Sequence, residues 1–237
     1  MAKVRMTPSE ALVETLVAEG VDTVYGIVGS AFMDALDIFP QAGIRFVPVA
    51  HEQAAGHAAD GMARVTGRPQ VCIAQNGPGI ANFVSAMAAA FWAHSPVVCI
   101  TPETGTMGLG HGGFQELEQL PMFEKQTVYQ AHVNRSERMA EFARQCFYRA
   151  KTDMGPTQLN IPRDLFYGES DYDVYQSLDV SVGVGSRDNL EEAAKIIAAA
   201  KNQGFVGFHI CGAIFFICCH HRLPSLRANM TKRRPQG

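Results

Sequence analysis

The sequence has no excess of charge of either sign. Twenty Lys and Arg stand against 23 Asp and Glu, for a formal net charge of -3, which gives no reason to expect nucleic acid or an anionic membrane as partner. It has no secretory signal, because the opening MAKVRMTPSEALVETLVAEG carries Glu10 and Glu14 through the stretch that would have to be apolar. The six cysteines show no zinc-type C-x2-C pairing. Cys72, Cys99 and Cys146 lie singly in apolar contexts, as reduced core residues of a cytoplasmic protein do. G-x4-G-K-[ST] occurs nowhere, which excludes a P-loop, and no G-x-G-x-x-G stands at the first strand-to-helix turn, which disfavours a dinucleotide fold. There is no G-x-S-x-G elbow, no Ser-His-Asp order and no internal repeat. The composition is otherwise ordinary, 47% hydrophobic and 18% charged over 237 residues, enough for one good core and the start of another.

What is present is alternation. Thr7-Pro8-Ser9-Glu10 starts a helix: Thr7 can cap, Pro8 suits the first helical position, and Glu10 completes a capping box. Leu12, Val13, Leu16 and Val17 follow at helical spacing, and Gly20 ends the helix. TVYGIVG predicts a buried strand closing on Gly26 and Gly29, AFMDALDIF a short helix, IRFVPVA the next strand, and residues 53–66 the next helix. QVCIAQ predicts a strand, NGPG a turn, 80–93 a helix and PVVCIT another strand. Beyond a glycine-rich loop over 104–119, residues 136–152 predict a helix, PTQLNIP a last strand, and 189–201 a further helix. Strands alternate with helices and their apolar runs are nearly continuous. The fold class is therefore α/β, a parallel sheet with helices on both faces. Such sheets bind ligands beyond the carboxyl ends of the strands, where Gly29-Ser30, His51-Glu52, Gln75 to Gly79 and Pro102-Glu103 fall.

Glu52 has two readings. As a carboxylate in the first turn of a helix it complements the dipole, worth roughly a few tenths of a kcal/mol. Yet the helix after it presents Ala54, Ala55, Gly56, Ala58, Ala59 and Gly61, small residues that let another helix or a flat ligand approach the backbone. A neighbour closing over such a carboxylate would take it from water, and a desolvated carboxylate holds its proton more tightly. QNGPG is a rigid turn whose backbone can touch a ligand. In GHGGFQE, Phe114, Gln115 and Glu116 follow glycines; a loop aromatic beside an amide can hold a small substrate, and a solvent loop with one anchoring Phe is the other reading. His51, His57, His94 and His111 are scattered rather than spaced as ligands. His57 and Asp60 lie one helical turn apart, as for a structural hydrogen bond.

The last stretch differs from the rest. Beyond Lys201 no Asp or Glu remains, and FVGFHICGAIFFICC is followed by HHRLPSLRANMTKRRPQG. The apolar run of 15 residues is short of the roughly 17–25 that span a bilayer. It reads as a tail not selected to fold with the domain, as a reading-frame change would give; a C-terminal anchor is the other reading. A metal role for Cys218-Cys219 with His220-His221 is weaker, since adjacent ligands rarely share one ion with good geometry.

Taken together, VYGIVGSAFMDALDIF, HEQAAGHAADGMARVTGRPQVCIAQNGPGIANF, AHSPVVCITPET, GGFQELEQLPMF and GPTQLNIPRD resemble the thiamine-diphosphate enzymes of the acetolactate synthase type, over nearly all of residues 4–175. Within that family, GSAFMDALDIFPQAGIRFVPVAHE, FWAHSPVVCITPETGTMG and MGPTQLNIPRDLFYGE look most like the sulfoacetaldehyde acetyltransferases. The resemblance implies the N-terminal domain that holds the cofactor's aminopyrimidine ring. Glu52 matches the glutamate that hydrogen-bonds this ring and favours the imino tautomer, which removes the thiazolium proton. Gly77, Pro78, Gly79 and Asn82 match the segment near the pyrimidine. Gly29 and Ser30 match a turn facing the ring from the partner subunit's site, and Phe114 and Gln115 match the loop that lines the reacting carbon. The implied reaction takes sulfoacetaldehyde and phosphate to acetyl phosphate and sulfite; an acetolactate synthase-type carboligase and a non-catalytic pairing module are the alternatives.

The family also binds Mg2+ with the diphosphate, through a separate domain marked by Gly-Asp-Gly, a motif this sequence does not contain. The resemblance thus implies an N-terminal part, inactive alone and truncated by a frame change. Residues 1–168 would form the cofactor-binding domain, 169–188 a linker, 189–202 the start of a central domain, and 203–237 an aberrant tail. It further implies a homodimer or homotetramer in the cytoplasm, a small-molecule substrate, and neither nucleic acid nor membrane as partner.

Overall fold

The computed structural model describes residues 3–173, 175–178, 180, 186–199, 209–210 and 213–214. The chain divides into two compact units between Ser181 and Val182.

The first unit opens with β1 (Lys3–Met6) and α1 (Pro8–Ala18). The capping box forms as the sequence predicts: Glu10 N donates to Thr7 Oγ1 at 3.1 Å, and Thr7 N donates to Glu10 Oε2 at 2.7 Å. Then follow β2 (Thr23–Gly26), α2 (Met33–Ile38), β3 (Arg45–Pro48), α3 (Glu52–Thr66), β4 (Gln70–Ile73), α4 (Pro78–Ala81), α5 (Val84–Trp92) and β5 (Val97–Glu103). After the glycine-rich loop come α6 (Gln119–Phe123), β6 (Tyr129–His132), α7 (Met139–Asp153), β7 (Thr157–Pro162) and β8 (Ser170–Asp173). The NGPG turn differs from expectation, because Pro78 starts the four-residue α4 inside it.

Six strands form one parallel sheet in the order β3-β2-β4-β5-β7-β6. The order reverses between β2 and β4, the kind of crevice that takes ligands in open α/β sheets. Side chains alternate between the faces. Val71 and Ile73, Val98 and Ile100, and Leu159 and Ile161 pack with Leu12, Leu16, Phe32, Phe39 and Phe147 on the side of α1, α2 and α7. Cys72, Ala74, Val97 and Cys99 pack with Ala55, Ala59, Ala63, Phe83, Ala86 and Met87 on the side of α3 and α5.

β6 does not follow from the apolar pattern. It is an edge strand on which only Ala131 reaches the buried core, while Gln130 and His132 meet polar partners. β1 and β8 form a separate antiparallel pair, with Lys3 opposite Asp173 and Met6 opposite Ser170, so part of the stretch read as a linker is built into the first unit. Tyr172 on β8 donates to Ser136 O at 2.6 Å, and burial pushes its pKa up to about 12.

The second unit contains α8 (Arg187–Ala199), two residues ahead of the expected start, and the short antiparallel strands β9 (His209–Ile210) and β10 (Ala213–Ile214). Apart from those strands, the 203–237 tail, with Cys218-Cys219 and His220-His221, lies outside the described residues. Among the described residues no helix is long and apolar enough to cross a membrane.

Candidate functional site

α3 begins beyond the carboxyl end of β3. His51 caps it, its Nδ1 accepting from Gln53 N at 3.2 Å. The next residue, half-buried Glu52, turns one carboxylate oxygen to Asn82: Nδ2 donates to Oε2 at 2.9 Å. Asn82 can meet it because α4 stops there and α5 starts two residues later. The other oxygen, Oε1, accepts from no protein donor among the described residues. It faces Gly79, where a Cβ would lie 3.2 Å from it. An acceptor left open beside a residue without a side chain fits a flat ring carrying an N–H donor.

The QNGPG turn is fixed from three directions. Gly77 has φ 68 and ψ -113, a conformation that favours glycine, and a Cβ there would lie 2.1 Å from Gln115 O. Asn76 Nδ2 donates to Phe114 O at 3.0 Å and Gln115 O at 3.3 Å, tying the turn to the glycine-rich loop. Gln75 crosses the β2/β4 crevice: its Oε1 accepts from Ala31 N at 3.1 Å, and its Nε2 donates to Gln115 Oε1 at 3.2 Å. Gly29 admits that crossing, since a Cβ there would lie 2.3 Å from Gln75 Oε1.

Behind the turn lies a buried polar network that sequence reasoning missed. Gly77 N donates to Gln119 Oε1 at 2.8 Å. Gln119 Nε2 donates to Pro102 O at 2.9 Å and Asn160 Oδ1 at 2.8 Å. Asn160 Nδ2 donates to Glu103 Oε2 at 2.8 Å, and His132 Nε2 lies 2.9 Å from the same oxygen. Thr101 Oγ1 donates to Asn160 Oδ1 at 2.8 Å. The signal available in the sequence was alternation: Thr101 and Glu103, and Gln158 and Asn160, are period-2 polar positions within otherwise apolar strands.

A cavity of ≈ 400 Å³ opens at the carboxyl edge of the sheet, between Ser30, Glu103, Thr104, Phe114, Arg163 and Tyr167. The expected site residues thus form two groups joined by the 77–79 turn. Glu52, Gly79 and Asn82 make one; Gly29 and Gln115 meet Gln75 in the other, with Gly77 against Gln115 and Ser30 and Phe114 on the cavity wall. Pro78 is exposed at the start of α4.

One local expectation changes and two local features become specific. Asp60 pairs with Arg64, not His57: Nε donates to Oδ1 at 2.9 Å and Nη2 to Oδ2 at 2.6 Å, a two-point fit that an imidazole cannot match. The helix that approaches the small residues of α3 is α5 of the same chain, since a Cβ on Gly56 would lie 2.5 Å from Ala86 Cβ, whereas Gly61 faces open space. Glu116 ties the loop to itself. Its carboxylate accepts from Gly110 N and from Gly113 N at 2.8 Å, and these donors hold its pKa below the usual value.

Residues 6–122 match the family model described as thiamine pyrophosphate enzyme, N-terminal TPP binding domain, and the chain belongs to that family. Within it the chain is similar to sulfoacetaldehyde acetyltransferases. It is 60% identical to that of Alcaligenes xylosoxydans xylosoxydans over 197 residues, 83% of this chain and 33% of the relative. The sulfoacetaldehyde acetyltransferase of Rhodobacter capsulatus is 41% identical over 197 residues, with the same coverage. A probable acetolactate synthase large subunit of Methanocaldococcus jannaschii is more distant, 33% identical over 204 residues, 83% of this chain and 34% of that protein. The chain spans about a third of the length of the curated relatives it matches.

Proposed function

We propose that this chain is the thiamine-diphosphate-activating part of an acyltransferase that converts sulfoacetaldehyde and phosphate to acetyl phosphate and sulfite. The observation that carries the reading is the open Oε1 of Glu52 beside Gly79, in a chain 60% identical over 197 residues to a sulfoacetaldehyde acetyltransferase. Thiamine diphosphate, when bound, supplies the carbon nucleophile and the electron sink. The chain's own residues handle the ring and the proton. Glu52 takes a ring N–H on Oε1 and shares that proton. Asn82 fixes the carboxylate by holding Oε2. Gly77 and Gly79 keep the turn free of side chains, and Gln119 fixes the turn from behind. Gly29, Ser30, Phe114 and Gln115 border the substrate side. The diphosphate and its Mg2+ fall to another part of the protein, so the 237 residues by themselves turn nothing over. The setting is cytoplasmic, supported by the buried, unpaired thiols Cys72, Cys99 and Cys146, and the working unit is a homodimer or homotetramer.

A chimera tests this. In the Alcaligenes relative, the region matching 3–173 is replaced by this chain's residues. The chimera releases sulfite from sulfoacetaldehyde in a phosphate-dependent reaction, and Glu52→Gln in it lowers turnover by about 10²-fold or more with the assembly intact. Release of CO2 from pyruvate without sulfite release would move the assignment to the carboligases. Acetyl phosphate formation by the isolated 237 residues would overturn the division of labour.

A further inference from the structure

We propose that the cavity at the carboxyl edge of β5 and β7 holds the sulfonate of the substrate on Arg163. This rests on the acyltransferase reading and names the part of the site that recognises the anion. Among the residues lining the cavity, Arg163 is the only cation. It directly follows β7, at the carboxyl edge of the sheet, and its guanidinium has no protein partner among the described residues. Two carboxylates also line the cavity, and both are already engaged. Glu103 Oε2 accepts from Asn160 and stands against His132. Asp164 accepts from Thr106 N at 2.8 Å and from the Thr106 hydroxyl. These bonds hold the carboxylates on the walls, and neither closes an ion pair with the neighbouring guanidinium. Arg163 is left for a ligand, with the planar donor fork that suits an oxyanion.

The same lining says which anion. With one cation and two carboxylates the lining as a whole opposes a doubly charged anion about twice as strongly as a singly charged one, while the guanidinium fork gives a single oxyanion its direct partner. A sulfonate is singly charged throughout the pH range in which proteins fold, whereas phosphate becomes doubly charged towards alkaline pH. The cavity therefore takes the sulfonate in preference to the phosphate. Phe114 and Met107 on the rim, both largely exposed, offer apolar surface to the short carbon chain behind the charged head.

The test uses the full chain with isotope-labelled arginine side chains, titrated with ethanesulfonate and separately with inorganic phosphate. The Arg163 Nε–H resonance, assigned by its loss in Arg163→Lys, moves saturably with ethanesulfonate. Under alkaline conditions phosphate binds at least tenfold more weakly. Arg163→Gln, read on neighbouring backbone amides, loses at least tenfold in ethanesulfonate affinity while unfolding at the wild-type temperature. No saturable shift, an equal affinity in Arg163→Gln, or tighter binding of doubly charged phosphate would overturn the proposal. The acyltransferase reading is checked separately, by sulfite release in the chimera. Sulfite release there without an ethanesulfonate response in the chain rejects the sulfonate site and leaves the acyltransferase reading standing. An ethanesulfonate response without sulfite release in the chimera supports the site and counts against that reading.

Discussion

The two faces of the sheet are built differently. On the side of α1, α2 and α7, the buried cluster is mostly Leu, Val, Ile and Phe, with alanine at five of 25 positions. On the side of α3 and α5, alanine takes six of 14 positions, and Gly56 sits where a methyl group would strike Ala86. The first face is an ordinary core whose stability comes from volume. The second gives up buried volume to bring a helix close, which sets Glu52 and Asn82 side by side at the ligand edge. Toward the ends of β5 and β7 this second face turns polar and becomes the network of Thr101, Gln119, Asn160 and Glu103.

If that contrast is right, the faces answer differently to changes in volume. The largest effect is on the large-residue side. Phe147→Ala removes a ring that is 0% exposed and should lower unfolding stability by about 3–5 kcal/mol in chemical denaturation. On the small side the sensitivity has the opposite sign: adding one methyl in Gly56→Ala should cost about 1–3 kcal/mol, outweighing the roughly 1 kcal/mol gained in helix propensity. The double variant with Ala86→Gly should recover most of the loss, a coupling visible in a double-mutant cycle; additive losses would show that the close approach does not limit this face.

The smallest effect is local and depends on pH. The Glu116 pKa lies below its ordinary value because Gly110 and Gly113 donate to it. A carboxylate with a lowered folded-state pKa stabilises above its unfolded value and ceases to do so as pH falls through the folded one. Protection of the Gly110 and Gly113 amides, measured relative to the intrinsic exchange rate at each pH, should therefore be high near neutrality and fall in acid, below about 4.5, the ordinary value for this group. Glu116→Gln should remove that dependence without changing global unfolding. Unaltered protection across this range would show that the carboxylate does not order the loop.

Much of the fold was legible because apolar runs in parallel strands are nearly unbroken. β2, β4, β5 and β7 announce themselves that way, and the Thr7–Glu10 box marks the first helix. β6 was not legible, since Gln130 and His132 look outward in sequence and in fact face partners far along the chain. The QNGPG turn and Glu52 stand out locally, by glycine and by position. Gln119 does not: its bonds run to residues 17, 41 and 42 positions away, and no short-range pattern encodes them. Arg64 replaced His57 as the partner of Asp60 because both sit within one turn, and the bidentate fit decides between them.

The β1–β8 pair has an architectural consequence. Residues 3–6 and 170–173 lie against one another, so the chain enters and leaves this unit along a single seam. A body wired in that way can be lifted out and set into a relative by joining only two adjacent points.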